Sequence, residues 1–189
     1  MIAGLNRQDG SERQPEDFYA SDPANIPPLL KVLGPEWEQG GKLIYENACG
    51  QGHLSSILEL YGHQVISTDL VDRGYGVGGV DFLEDNPLFD NVPYDAVITN
   101  PPFSLAIPFI EKSLRIAPLV CMFLRIQFLE SKRRDKFFEE NPPRYVAVFR
   151  NRARTSKDAK FPKGESSATC YAWFIWERGY KGNPELLRI

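Results

Sequence analysis

Leu43-Ile44-Tyr45-Glu46-Asn47-Ala48-Cys49-Gly50-Gln51-Gly52 is followed after one residue by Leu54-Ser55-Ser56-Ile57-Leu58-Glu59-Leu60-Tyr61-Gly62. The first part is an apolar run, 43–48, that ends in a glycine pair. The second has apolar residues at Leu54, Ile57, Leu58 and Tyr61, the spacing of one helix face. A strand, a tight turn and an amphipathic helix closed by Gly62 are predicted. Gly50 and Gly52 allow the turn and let a ligand approach the backbone closely. Residues 63–70 form a second strand ending at Asp69. This strand–turn–helix–strand unit opens a parallel sheet wound in both directions.

The same alternation continues outward. Residues 94–100 read as a third strand ending in Asn100, and 105–117 as a helix. Residues 118–125 read as a strand and 131–141 as an exposed helix. The final strands, 144–150 and 168–178, are joined by a polar stretch without a helix, which predicts an antiparallel pair. Upstream, 23–33 holds a short helix. The fold class is therefore α/β, a Rossmann-like, doubly wound, mostly parallel sheet with an antiparallel C-terminal strand. Trp173 and Trp176 lie three apart on the last strand and so face opposite sides, with core burial expected for one.

Composition narrows the function. Of 189 residues, 42% are hydrophobic and 12% aromatic, enough for a core and too many for a disordered chain. Three cysteines, none in a Cys-x-x-Cys pair, argue against a disulfide framework or a cysteine zinc site. Cys49, Cys121 and Cys170 are expected to be buried apolar side chains. His53 and His63 are isolated, so no metal site is expected; His53, at the start of a helix, is read as a surface residue with a place facing the cofactor as the alternative, and His63 as structural. No apolar run approaches membrane-spanning length, and the polar N-terminus lacks a signal-peptide core, so a cytoplasmic location is expected. The net charge is −3, yet residues 125–167 carry 12 Lys/Arg against 6 Asp/Glu. Within that region Arg150, Arg152, Arg154, Lys157, Lys160 and Lys163 form a basic loop suited to phosphates.

Strand ends are where ligands bind in such sheets. Asp69 follows Gly52 by 17 residues, and an acid there can accept bonds from both ribose hydroxyls. With the Gly50/Gly52 turn it favours an adenosine-containing cofactor. Asn100-Pro101-Pro102-Phe103 follows the third strand. The two prolines stop the strand and fix φ near −65°. They aim the Asn100 side chain and the Pro101 carbonyl outward, with Phe103 as an aromatic face beside them. An exocyclic amino group on a base is a poor nucleophile because its lone pair is delocalised into the ring. Two acceptors that take its two N–H hydrogens favour a tetrahedral nitrogen with that lone pair available. Phe103 can stack on a base turned out of its helix. Asn141-Pro142-Pro143 repeats the tripeptide, but after a helix, where it reads as a helix stop.

These residues resemble the class I S-adenosylmethionine (SAM)-dependent amino-methyltransferases, and more narrowly the small phage and prophage enzymes that methylate adenine N6 in DNA. The N-P-P-F motif matches Asn100–Phe103, the glycine-rich loop Glu46–Gly52, and the ribose-binding acid Asp69. The resemblance implies that Asn100, Pro101, Pro102 and Phe103 carry the transfer. It also implies that Phe18, Tyr19 and Ser21, in Asp17-Phe18-Tyr19-Ala20-Ser21-Asp22-Pro23, enclose the methionine end of the cofactor. Ser21 stands where the family has threonine, with one residue added before Pro23. Glu46 is expected to orient that methionine end, with Ala48 beside the glycine loop and Leu70 beside Asp69. Asp81 and Phe82 match the pair that contacts the cofactor adenine. The partner implied is DNA, with RNA as the alternative, and no membrane. The polar first 16 residues read as a flexible arm, and 17–189 as one methyltransferase domain, which departs from the full-sized DNA enzymes in leaving no room for a separate target-recognition domain. Sequence readout would then fall to the basic loop, a specificity partner or a second copy of the chain. Methylation of an RNA base or a protein glutamine is the nearest alternative, and a non-catalytic nucleic-acid-binding subunit is the alternative of another class.

Overall fold

The computed structural model describes residues 19–156, 160–161 and 169–189. The expected arm over 1–16, and Phe18, Lys157 and Lys163 among the candidate site residues, lie outside them. The strands are β1 (Ala20–Ser21), β2 (Leu43–Glu46), β3 (Gln64–Ser67), β4 (Ala96–Thr99), β5 (Leu119–Arg125), β6 (Tyr145–Val148), β7 (Thr155–Ser156), β8 (Tyr171–Glu177) and β9 (Glu185–Arg188). The α-helices are α1 (Ile26–Leu33), α2 (Pro35–Glu38), α3 (His53–Leu60), α4 (Pro87–Asp90), α5 (Ala106–Ile116) and α6 (Asp135–Glu140).

Seven strands form one sheet in the order β3-β2-β4-β5-β8-β6-β9. Neighbours pair in parallel except where β8 runs antiparallel to both β5 and β6. The expected α/β, doubly wound, mostly parallel architecture is thus present. The winding changes direction between β2 and β4, and a crevice opens there at the C-terminal strand ends.

Side chains alternate across the sheet with the strand period of two. Tyr45, Val97, Val120, Met122, Phe174 and Trp176 face α5 and α6, whereas Ile44, Ile98, Cys121, Phe123, Trp173 and Ile175 face α1 and α3. Both faces are covered, so both tryptophans are buried, where one was expected. Each indole N–H finds a carbonyl: Trp173 on Asn25 at 2.9 Å and Trp176 on Asn141 at 3.0 Å.

Four local readings are corrected. Cys170 is exposed, unlike Cys49 and Cys121, because it precedes β8 rather than lying within it. The exposed helix expected over 131–141 begins as a 3-10 turn, and α6 buries Phe137 against Phe128 and Trp176. The edge strand β9 was not foreseen: Glu185-Leu186-Leu187-Arg188 is short and bounded by charges. The two-residue ribbon β1–β7, which pairs Ala20 with Ser156 and Ser21 with Thr155, was not foreseen either. Asn141 behaves as read: its N–H returns to the Phe137 carbonyl at 2.7 Å and α6 stops there.

Candidate functional site

The crevice between β2 and β4 is a cavity open to solvent on one side, lined from the C-terminal ends of β2, β3 and β4. Glu46 and Ala48 reach it from the end of β2, Gly50 from the turn, Asp69 and Leu70 from the end of β3. Asp81 and Phe82 form its far wall. Asn100, Pro101 and Pro102 enter from the end of β4, with Tyr19 and Ser21 beside them. Twelve sequence-expected residues therefore converge on one cavity.

Gly50 adopts φ +54° and Gly52 φ +78°, the left-handed backbone that glycine tolerates. Gly52 is not on the cavity wall. The Tyr75 ring lies where a Gly52 Cβ would sit, and Tyr75 donates its hydroxyl to Glu59 at 3.1 Å. Gly52 serves the turn and the start of α3, a correction to its expected place at the ligand. Asp69 is already engaged: the Gly50 N–H donates to Oδ2 at 2.8 Å and the Val71 N–H to Oδ1 at 3.0 Å. Each oxygen keeps a second lone pair for a hydroxyl donor. Glu46 is buried; the Ser55 hydroxyl donates to its Oε2, and so does the Ser55 N–H, the latter at 2.9 Å. Ser55 belongs to the first turn of α3, whose amides lack helical partners. The carboxyl therefore caps α3 from within. Burial outweighs these bonds and pushes its pKa up to about 8.

At the other end, Phe82 is held in place from α5. Lys112 is buried, with its Nζ 2.9 Å from Asp90, donating to the Glu84 carbonyl at 2.7 Å, and 5.1 Å from the Phe82 ring centre. Sequence reasoning passed over Lys112. Its cue is a charge three residues after Phe109, on the apolar face of a helix.

Asn100 is fixed by geometry that leaves one answer for its amide. Its Nδ2 donates to the Tyr19 carbonyl and to the Ser21 hydroxyl, both at 3.0 Å. The carbonyl can only accept, so the amide nitrogen must face it. The amide oxygen then points the other way, and Oδ1 is buried with no hydrogen-bond partner. Ser21, expected at the cofactor, thereby also positions Asn100. Pro102 follows in extended backbone, φ −54° and ψ 123°, before a 3-10 turn over Phe103–Leu105 and then α5. Phe103 is absent from the cavity wall: the Arg125 guanidinium carbon lies 4.4 Å from its ring centre, with Tyr171 at 6.0 Å and Tyr19 at 6.3 Å. Its expected open stacking face is occupied.

Among its described residues, the basic loop is only partly a solvated cationic surface. Arg150, Arg152 and Lys160 are exposed. Arg154, expected at phosphates, instead pairs with Asp22 at 2.5 Å and donates to the Phe161 carbonyl at 3.0 Å. Its own carbonyl accepts from Asp22 N–H and from Asn25 Nδ2, both at 3.1 Å. This locks β7 to β1 and thus to the segment that holds Asn100. His53, read as a surface residue, lies on the cavity wall with Phe161 edge-on at 5.7 Å. Burial lowers its pKa. His63 is structural as read, with Nε2 2.8 Å from the Trp37 carbonyl. Among the described residues no group of three His, Cys, Asp or Glu side chains could hold a metal ion, and no helix is long and apolar enough to cross a membrane.

No protein-family model matches the sequence. No curated protein matches it either. Solved structures do. The methyltransferase subunit of a type I restriction-modification system from Streptococcus thermophilus superposes with TM-score 0.67 at 15% identity, over 90% of this chain and 47% of that one. This chain thus spans about half the length of that subunit. A Pyrococcus horikoshii protein provisionally described as an RNA methyltransferase gives 0.53 at 18% identity, over 82% and 81%. Magnesium protoporphyrin IX methyltransferase from Synechocystis PCC 6803, solved with SAM bound, gives 0.56 at 13% identity, over 83% and 79%. The chain has the fold of the class I SAM-dependent methyltransferases.

Proposed function

We propose that this chain is a SAM-dependent methyltransferase that methylates the N6 amino group of adenine in DNA. The observation that carries the reading is the Asn100 amide: nitrogen pinned, oxygen buried and without a partner, in a residue that lines the crevice at the strand ends. A buried acceptor left unpaired costs about 1–3 kcal/mol, so an amine donor that satisfies it is strongly preferred there.

The donor set suits the cofactor. Asp69 offers lone pairs to ribose hydroxyls beside the Gly50 turn, and Asp81 offers a carboxylate to an adenine amino group next to the Phe82 ring. SAM held by these residues would supply an electrophilic methyl group there and leave as the neutral thioether, with the surplus amine proton passing to water. Asn100 Oδ1 and the Pro101 carbonyl accept the two amine hydrogens and draw the nitrogen toward a tetrahedral shape. The two prolines fix the backbone that carries those acceptors, and Asn100 Oδ1, covered in the free chain, is uncovered as the amine enters. The exposed Arg150, Arg152 and Lys160 give phosphates a landing surface.

DNA is preferred over RNA on the motif resemblance, and the RNA reading keeps its place through the Pyrococcus fold match. The test is to incubate the chain with SAM and separate DNA and RNA pools, digest to nucleosides and weigh the product. N6-methyladenine from DNA supports the proposal, and a methylated ribonucleoside alone replaces it with the RNA reading. Asn100→Ala is expected to keep SAM affinity and lose 10²–10³-fold in kcat, about 3–4 kcal/mol. Unchanged turnover removes Asn100 from its role.

A further inference from the structure

Arg125 ends β5 and sits opposite Tyr171 of β8. Neither the cofactor cavity nor the motif reading includes it. Its guanidinium carbon lies 4.4 Å from the Phe103 ring centre and 6.0 Å from that of Tyr19. Its Nε is buried and has no hydrogen-bond partner. Attraction between the cation and the rings offsets part of that deficit, but a ring face cannot replace an acceptor for a donor out of reach of water. The Arg125 head thus lies against two rings with its Nε unpaired.

The space it fills has a specific shape. A planar group 4.4 Å above Phe103 is where a nucleobase stacked on that ring would lie. Phe103 is three residues from Asn100, whose free acceptor marks where an amine is received. Base and guanidinium cannot share that face. Arginine has five donors and no acceptor, and its fork matches the oxygens of a phosphate. An extruded nucleotide brings both a flat base and a phosphate within one nucleotide's length.

We propose that Arg125 occupies the target-base seat until substrate arrives: the extruded base displaces its guanidinium from the Phe103 ring, and the freed guanidinium takes a phosphate of the same strand. The inference rests on the proposed function. It makes Arg125 a residue that links base extrusion to backbone contact, beyond the loop residues that meet phosphates without reference to the base.

Two variants of the full chain test it. Arg125→Gln keeps a planar head on Phe103 and removes the charge, and Arg125→Lys keeps the charge and removes the plane. SAM affinity is read by calorimetry, and methyl transfer to unmethylated plasmid DNA is followed from 50 to 200 mM KCl. Both variants are expected to bind SAM within twofold of the parent chain. Arg125→Gln raises KM for DNA at least tenfold with kcat changed much less. It also makes the slope of log(kcat/KM) against log salt shallower by about 0.9, one phosphate contact. Arg125→Lys restores the parental slope. Parental KM and slope in Arg125→Gln overturn the inference, as does a lower kcat with KM and slope unchanged, which a purely structural arginine gives. Absence of SAM binding in the parent chain overturns the proposed function itself, a result distinguishable from either.

Discussion

Glu46 is ionisable, buried and bonded to the first turn of α3. Its pKa, about 8, lies well above the ordinary carboxylate value of 4.5 because burial disfavours the charged form. The folded chain therefore holds a proton that the unfolded chain gives up between those two values. Stability from this group is full below pH 4.5 and falls as pH rises toward 8, by at most ~1.4 kcal/mol per pH unit. Glu46→Gln, which keeps an acceptor for Ser55, is expected to flatten the fall in Tm between pH 5 and 8. Thermal melts across that range check it, and a variant with the parental slope shows that Glu46 is ionised in the fold. Lys112 is the opposite case, a buried cation with its counter-ion beside it, Asp90 at 2.9 Å. Removing it leaves Asp90 unpaired. Lys112→Ala is expected to destabilise the chain by ~3 kcal/mol and, through Phe82, to weaken SAM binding, as denaturant titration and calorimetry would report.

The ribbon β1–β7 is only two residues per strand, too little to persist on its own pairing. Its persistence rests on the Asp22–Arg154 pair and on the bonds to the Arg154 carbonyl. A double-mutant cycle of Asp22→Ala and Arg154→Ala is expected to show a coupling of ~1 kcal/mol in stability. Each single variant should lower methyl transfer, since β1 carries the Ser21 hydroxyl that holds Asn100. Additive losses in the cycle would show that the ribbon is held by something else. The ribbon also marks the limit of what the sequence made legible. The glycine turn, Asp69 and Asn100 each sit at the end of an apolar run, so local pattern found them. Arg154, Arg125 and Lys112 owe their places to neighbours far along the chain: Arg154 bonds to Asn25, 129 residues away. Charged side chains in the interior carry no periodic signal except as exceptions to one. Pattern likewise found the strands of the sheet centre, where apolar runs are continuous, and missed β9, half of whose four residues are charged. Phe103 was found by motif, but its neighbour across β4–β5 was not, because that contact depends on register between strands.

At the scale of the molecule, the sheet divides labour between its two ends. The C-terminal strand ends hold the glycine turn, the acids and Asn100, while the opposite end is closed by ordinary pairs such as Arg144–Glu177 at 2.9 Å. The walls of the crevice belong to different layers. α3 abuts it from the Glu46 side, and α5, through Lys112, braces the Phe82 side. The β1–β7 ribbon joins Thr155 and Ser156, at the base of the basic loop, to the segment that bonds Asn100, a physical link between the two. Free-energy coupling of this kind has no preferred direction. Whatever factor a polyanion on the loop imposes on occupancy of the crevice, a small molecule in the crevice must impose on the polyanion in return. Order of addition can then change how fast a ternary assembly forms, but never how tightly it is finally held.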